Sequence, residues 1–299
     1  MNSICILLTD SESINEKIIL KSYNYLLKVK IKKIFFIGSK KKFIKIYNKF
    51  SKNQKFRFIN IVFKKNKQID YLTNITKKAI TTCKANKRWL ILNMPLNKKK
   101  FLSSKYPGYT EFFSYYLDKK KNENMLLYNE KNFSVCPLTT HIQLKDVEKK
   151  ITEKKIRNCI LNIVNFYKKM NKKIRICILG LNPHAGKDFN KKNKDIDVIY
   201  KTVKKIKKLG IDIEGPISAD TAFMNDLNHK VFIGMYHDQV LIPFKTINKF
   251  DGINITIGKK ILRLSPDHGP AQDLKNKNNR VNNESFLRCL DFCSKKINV

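Results

Sequence analysis

Arginine is scarce in this chain. Of 62 basic side chains only seven are arginine and the other 55 are lysine, against 24 acidic residues. The formal charge of +38 would ordinarily point to nucleic acid or an anionic membrane. Arginine, however, is the better two-pronged partner for phosphates and base edges. The lysines are spread over every polar stretch, alongside an excess of Asn, Ile and Tyr. They read as filling for solvated faces, with weak nonspecific polyanion binding as a by-product and no specific nucleic-acid partner.

Paired cysteines, glycine fingerprints and long apolar runs are missing too. Cys5, Cys83, Cys136, Cys159, Cys177, Cys289 and Cys293 form no CxxC pair. An odd, scattered set lying partly in apolar runs behaves as small buried hydrophobes and suits a reducing cytosol. No GxGxxG and no Walker loop occurs, so a Rossmann site is unsupported. No stretch approaches the roughly 18 apolar residues of a membrane helix. Ile4–Leu8 gives way at once to Thr9-Asp10-Ser11-Glu12, too short and too soon acidic for a signal peptide. A soluble, cytoplasmic protein without a membrane partner is expected, and no internal repeat is visible.

What the chain does have is alternation. Its 299 residues, 42% of them hydrophobic, suffice for one large or two medium domains. Apolar strand-like runs at 4–8, 33–38, 58–63 and 89–94 are separated by helical stretches at 16–27, 41–50 and 71–84. Strands alternating with helices predict a largely parallel sheet covered on both faces. After Pro95 the rhythm breaks, which places a domain boundary near residue 105. A helix at 111–117 and strands at 125–128 and 133–138 are expected next. Ile156, Ile160, Ile163, Val164 and Tyr167 then mark an amphipathic helix. A strand at 175–181 leads to a helix through Ile196, Ile199, Val203 and Ile206, closed by Gly210. A loop at 215–221, a strand at 231–235 and an apolar strand-like run at 240–244 follow. Short strands at 253–257 and 261–264 and a last helix striped by Phe286, Leu290, Cys293 and Ile297 complete the expectation.

Binding residues of α/β proteins gather where strands give way to loops. His141 in Pro137-Leu-Thr-Thr-His141, His184 in Asn182-Pro-His-Ala-Gly186 and His237 in Tyr236-His-Asp-Gln239 each follow an apolar run. Neutral imidazoles from three strand ends suit a borderline divalent ion with positions left open for substrate; three unrelated turn histidines are the alternative. Lys245, Asn254 and Arg263 follow at intervals of nine residues beside strand-like segments. Two cations and an amide suit a phosphate or carboxylate, and Arg263 carries the most information because arginine is rare. Asp220 and Asp238 are each placed to accept a proton, hold a histidine tautomer or cap a helix. The run from Leu264 through His268, Gly269 and Ala271 to Asp273 is a tight polar turn. Its glycine lets backbone approach a ligand, unless it is merely a turn.

Several segments together resemble the 4-hydroxythreonine-4-phosphate dehydrogenase family, the NAD-dependent enzymes of pyridoxal phosphate synthesis. They are Met94-Pro-Leu-Asn-Lys98, Pro107-Gly-Tyr-Thr-Glu-Phe112, Thr139-Thr-His-Ile-Gln-Leu-Lys-Asp146, Asn182-Pro-His-Ala-Gly186, Gly215-Pro-Ile-Ser-Ala-Asp-Thr221, Tyr236 through Lys245, Gly252-Ile-Asn-Ile-Thr-Ile-Gly258 and Ser265-Pro-Asp-His-Gly269. The resemblance implies an α/β protein with a two-domain isocitrate/isopropylmalate dehydrogenase-like fold, a mostly parallel sheet and a cleft between domains. Residues 1–105 with 265–299 would form the nucleotide-binding domain, and 106–264 the domain for metal, substrate and dimerisation.

The resemblance also implies site roles. His141, His184 and His237 would hold one divalent ion (zinc, magnesium or cobalt), His237 reaching in from the partner subunit of a homodimer. Tyr109, Thr110, Lys245, Asn254 and Arg263 would bind the phosphorylated substrate, with Lys245 and Asp220 catalytic. His268, Gly269, Ala271 and Asp273 would contact NAD or NADP. The implied reaction oxidises 4-phosphooxy-threonine to a 2-amino-3-oxo-4-phosphooxybutanoate that decarboxylates to 3-amino-2-oxopropyl phosphate. This chain departs from the family in four places. Thr9–Asn15 contains no glycine, Tyr109 stands where the family has a histidine, Lys187-Asp188-Phe189 replaces an acidic, glycine-rich turn, and Lys275-Asn276 replaces Ala-Gly. The alternatives are a related metal-dependent dehydrogenase for another hydroxy acid, or a basic binding protein on a decayed enzyme scaffold.

Overall fold

The computed structural model describes residues 2–84, 89–102, 106–117, 119, 122–189, 192–224, 226–267, 269, 271 and 281–295. The chain divides into two compact units, Met1–Lys121 with Phe250–Val299, and Asn122–Lys249.

The first unit opens on β1 (Ser3–Leu7), whose five residues are all buried, as a continuous apolar run must be when both faces of a parallel sheet are covered. The helical stretch expected at 16–27 is split into α1 (Asn15–Lys21) and α2 (Tyr23–Lys28). Between them the Ser22 hydroxyl turns back to donate to the Ile18 carbonyl at 2.9 Å, a local bond that competes with regular helix. There follow β2 (Lys33–Gly38), α3 (Ile44–Phe50), β3 (Phe56–Asn60), α4 (Gln68–Lys84), β4 (Trp89–Asn93), α5 (Lys98–Phe101) and α6 (Tyr109–Leu117). On α4 the buried set is Tyr71, Leu72, Ile75, Thr76, Ala79, Ile80 and Cys83, one face of a 3.6-residue repeat. Tyr109, Phe112 and Phe113 of α6 join that same apolar cluster.

The second unit contains β5 (Asn124–Tyr128), β6 (Ser134–Pro137), α7 (Val147–Lys150), α8 (Glu153–Lys169), β7 (Arg175–Leu179), α9 (Lys201–Lys207), β8 (Ile213–Ile217), β9 (Lys230–Gly234) and α10 (His237–Asn248). Its strands run in the order β5-β6-β9-β7-β8; β6, β9, β7 and β8 are parallel and β5 is antiparallel to β6. Helix α8 is capped by Thr152, whose hydroxyl accepts from Lys155 N, as N-caps do.

Two expectations are corrected here. Residues 215–221 were expected as a loop, yet β8 runs through Gly215 and Pro216. A proline without an N–H is tolerated because β8 is the outer strand of the order. The apolar run 240–244 is not a strand but the body of α10. Val240, Leu241, Phe244 and Asn248 are buried at helical spacing, and Ile242 faces outward at 62% exposure.

The chain then returns to the first unit with β10 (Ile253–Ile257), β11 (Arg263–Pro266) and α11 (Glu284–Ser294). The strand order there is β3-β2-β1-β4-β11-β10, all parallel except that β10 runs antiparallel to β11. The boundaries expected at 105/106 and 264/265 therefore move. Helix α6 packs on α4, and β11 pairs with β4, so both belong with the N-terminal strands. All seven cysteines are free and buried. Among the described residues no helix is long and apolar enough to cross a membrane.

Candidate active site

Two polar clusters emerge, one in each unit. In the second unit β6, β9 and β7 are adjacent and parallel, so their C-terminal ends lie along one edge. His141 follows β6, His184 follows β7, and His237 is the first residue of α10 after β9. The His141 and His237 loops are tied together: Leu138 N donates to Gly234 O and Thr139 Oγ1 to Met235 O, both at 2.7 Å. The two imidazoles lie with ring centroids 5.7 Å apart. His184 is not brought to them. Among the described residues no group of three or more His, Cys, Asp or Glu stands close enough to hold a metal.

His184 and His237 share a chemical arrangement. His237 Nδ1 lies 2.6 Å from Asp238 Oδ1, and His184 Nδ1 is hydrogen-bonded to Asp188 Oδ2. A carboxylate on Nδ1 makes that nitrogen the donor and leaves the Nε2 lone pair for an ion. The Asp188 bond and charge raise the His184 pKa, and the charge of Asp220 adds to the rise. Asp220 itself is exposed in the turn after β8, and Lys245 is exposed on α10.

The His184 loop is strained and firmly held. His184 and Ala185 adopt left-handed φ values of 51° and 55°, conformations that persist only where surroundings impose them. Completely buried Asp195 accepts from Leu181 N at 2.6 Å and from Asn182 N and Nδ2 at 3.3 and 2.7 Å. Gln239 bridges both histidine loops: its Nε2 donates to Gly180 O and its Oε1 accepts from Met235 N, each at 2.7 Å. Gly186 has φ +72°, and an added Cβ would stand 2.6 Å from Asn193 Oδ1 and 2.8 Å from Asp195 Cβ. Gly186→Ala is therefore expected to destabilise the protein by about 1–3 kcal/mol. Urea unfolding measures this, and an unchanged midpoint would count against a strained, close-packed loop.

The second cluster lies in the first unit. Across the β10–β11 pair Thr256 stands opposite Arg263 and Asn254 opposite Ser265. Opposed residues, and residues two apart on a strand, share a face, so all four side chains rise together. Arg263 is 3% exposed. Its Nε donates to Asn93 Oδ1 at the end of β4, its Nη1 to Thr110 Oγ1 and Thr256 Oγ1 at 3.3 Å each, and its Nη2 to Ser265 Oγ at 3.1 Å. The guanidinium carbon lies 5.1 Å from the Tyr109 ring centroid. All of these direct partners are neutral. Burial pulls the Arg263 pKa down to about 10, with Tyr109 and Glu111 raising it in part, so the group is charged at neutral pH.

A guanidinium carries five N–H donors, and four are used by these bonds, which leaves one on Nη2. The Oδ1 atom of neighbouring Asn254 is buried without a hydrogen-bond partner. A desolvated cation among neutral partners is costly, and an incoming anion offsets that cost. The Tyr109 hydroxyl is engaged elsewhere: it lies 2.8 Å from Thr76 Oγ1 on α4, and burial pushes its pKa up to about 12, with Thr76 and Arg263 lowering it in part.

Of the four residues expected to contact the nucleotide, His268 and Asp273 lie outside the described residues. Gly269 is exposed, and Ala271 has φ 41°. The glycine-free loop after β1 is closed onto the turn after β4. Thr9 Oγ1 reaches Met94 O and Pro95 O at 3.0 and 3.1 Å, Asn15 Nδ2 reaches Pro95 O at 2.7 Å, and Asp10 Oδ2 accepts from Asn97 N at 3.2 Å.

Two α/β units of mostly parallel strands, with no glycine fingerprint, define a fold of the isocitrate dehydrogenase class. The isocitrate dehydrogenase of Methylococcus capsulatus superposes with a TM-score of 0.54 at 12% identity, covering 98% of this chain and 85% of that one. The family model described as "Pyridoxal phosphate biosynthetic protein PdxA" matches residues 5–293, and the chain belongs to that family.

The 4-hydroxythreonine-4-phosphate dehydrogenase of Aquifex aeolicus is 40% identical over 212 residues, 69% of this chain and 66% of the relative. The enzyme of that name from Sulfurihydrogenibium sp. is 31% identical over 310 positions, 93% of each. A solved structure from Salmonella typhimurium, named as a putative member of the same enzyme class, superposes with a TM-score of 0.80 at 23% identity, covering 98% of this chain and 99% of that one. The chain is an oxidoreductase acting on CH–OH groups.

Proposed function

We propose that the protein oxidises 4-phosphooxy-threonine with NAD or NADP as hydride acceptor. The product, 2-amino-3-oxo-4-phosphooxybutanoate, loses carbon dioxide to give 3-amino-2-oxopropyl phosphate, a step in pyridoxal phosphate synthesis. The observation that carries this reading is buried Arg263, charged and surrounded by neutral partners, beside Asn254 with an unbonded Oδ1. The names of the relatives supply the substrate.

Each residue then has a task. The remaining Arg263 Nη2 N–H and the Thr110 hydroxyl donate to the phosphate, and the Asn254 amide donates beside them. His141, His184 and His237 hold a divalent ion; the carboxylates on the Nδ1 atoms of His184 and His237 fit this role, and imidazole donors favour zinc or cobalt over magnesium. An ion held there would supply a Lewis acid for the substrate oxygen, and a bound nicotinamide would supply the hydride acceptor. Asp220, whose charge reaches His184, accepts the alcohol proton. The Lys245 ammonium stabilises negative charge on the ketone oxygen as carbon dioxide departs.

The ligand set is completed in a homodimer; within one chain the His141 and His237 rings stand 5.7 Å apart. Exposed apolar side chains close to all three histidines in sequence support a second copy: Ile142 and Leu144, Phe189, and Ile242. The test is turnover of 4-phosphooxy-threonine with NAD or NADP and zinc, cobalt or magnesium. Reduced nicotinamide and carbon dioxide are expected in equal amounts, abolished by a chelator and restored by metal. No reduction under any of these conditions overturns the reading. A second reading, a dehydrogenase for another phosphorylated hydroxy acid, draws on the Tyr109 hydroxyl being bound to Thr76. It is selected if such a substrate turns over at least about tenfold faster, a difference of ~1.4 kcal/mol.

A further inference from the structure

We infer that Tyr109 is a positioning residue that serves the phosphate subsite through the face of its ring, on which the Arg263 guanidinium rests, while its hydroxyl anchors the ring to Thr76. This rests on the reading that Arg263 takes the substrate phosphate.

The geometry separates the edge of the guanidinium from its face. Along the edge, four of its donors are fixed by Asn93, Thr110, Thr256 and Ser265, which hold the plane and leave one N–H for a ligand. Hydrogen bonds do nothing for the two faces, and a buried cation with an apolar surface over its face is poorly solvated. An aromatic face is the exception, because its quadrupole presents negative charge, and arginine stacks on it within about 6 Å. The Tyr109 ring lies 5.1 Å away.

The ring is in turn immobilised from both ends. Its hydroxyl is 2.8 Å from Thr76 Oγ1, on a fully buried side chain of α4, and the Phe112 ring lies 5.6 Å from it at 32°. A hydroxyl held there points its hydrogen bonding at α4, so the phosphate meets Arg263 and Thr110 but not the Tyr109 oxygen. The family resemblance could not show this, since it implied that Tyr109 binds the substrate directly.

The test compares Tyr109→Phe, which keeps the ring, with Tyr109→Leu, which removes it, and with Thr76→Val, which keeps the ring but loosens its anchor. Two quantities are read: the KM for 4-phosphooxy-threonine, and competitive inhibition by inorganic phosphate. Tyr109→Leu is expected to raise the KM and weaken phosphate inhibition about tenfold more than Tyr109→Phe does, with the larger change in KM rather than kcat. Thr76→Val moves both in the same direction by less.

A readout independent of substrate is the Arg263 Nε–H resonance in arginine-labelled protein, where only seven arginines contribute and Arg263→Lys identifies the peak. Ring current holds it upfield in the wild type and in Tyr109→Phe, and it moves downfield in Tyr109→Leu. Equal effects of Tyr109→Phe and Tyr109→Leu on KM overturn the inference, because the hydroxyl would then be the working part. A resonance that does not move in Tyr109→Leu overturns the stack. A wild-type protein indifferent to inorganic phosphate overturns instead the phosphate reading of Arg263, and the resonance still reports whether the ring carries the guanidinium.

Discussion

Replacing His237 with alanine is expected to lower metal-dependent kcat by about a thousandfold or more, since an ion that has lost one of three imidazoles is held weakly and stabilises the substrate oxygen poorly. The fold should survive. The His237 side chain is 35% exposed, and α10 is held down by Val240, Leu241 and Phe244, so no core cavity opens. Unfolding free energy should change by less than about 1 kcal/mol, and the metal content of the purified protein should fall. Turnover equal to that of the wild type, with normal metal content, would remove His237 from the ligand set.

The second large effect is at Arg263. Arg263→Met is expected to reduce kcat/KM by about a thousandfold, or ~4 kcal/mol, carried mainly by KM, because a desolvated charge bound to phosphate has no substitute. Stability should behave differently. The arginine is buried among neutral partners, so an apolar side chain of similar length should leave stability nearly neutral or raise it. Arg263→Lys keeps a charge but loses the fork, and should recover little of the affinity. A variant that unfolds while its surviving fraction keeps a normal KM would make Arg263 a structural residue.

Much of the architecture was legible in the sequence because its strands are short, fully apolar runs such as Ser3–Leu7, separated by helices whose buried positions recur at 3.6 residues. The failures have specific physical causes. Val240-Leu-Ile-Pro-Phe244 is too short for its period to separate strand from helix; burial of Val240, Leu241, Phe244 and Asn248 decides for α10. β8 was missed because Gly215-Pro216 reads as a turn, although an outer strand tolerates it. The domain boundary was misplaced because pairing of β11 with β4, between residues far apart in the chain, leaves no local trace.

The same limit applies to the site. Rare Arg263 and the three histidines stood out from the sequence by residue type and by position after apolar runs. Asp188, Asp195, Gln239, Asn93, Thr76, Thr256 and Ser265 did not, because each works through a partner that only the fold supplies. One cue was available: Asn93 and Gln239 are polar residues set against apolar runs, and Asn93 is buried. Tyr109 shows the opposite case, where residue type suggested a donor and the surroundings engage that donor with Thr76.

The most direct measurement is diffraction from crystals soaked in 4-phosphooxy-threonine. The phosphate should lie within hydrogen-bond distance of Arg263 Nη2 and Thr110 Oγ1, with the Asn254 amide turned toward it and the Tyr109 hydroxyl still on Thr76. Phosphate density elsewhere, with Arg263 still enclosed by its neutral partners alone, would contradict the assignment of this buried cation as the substrate anchor.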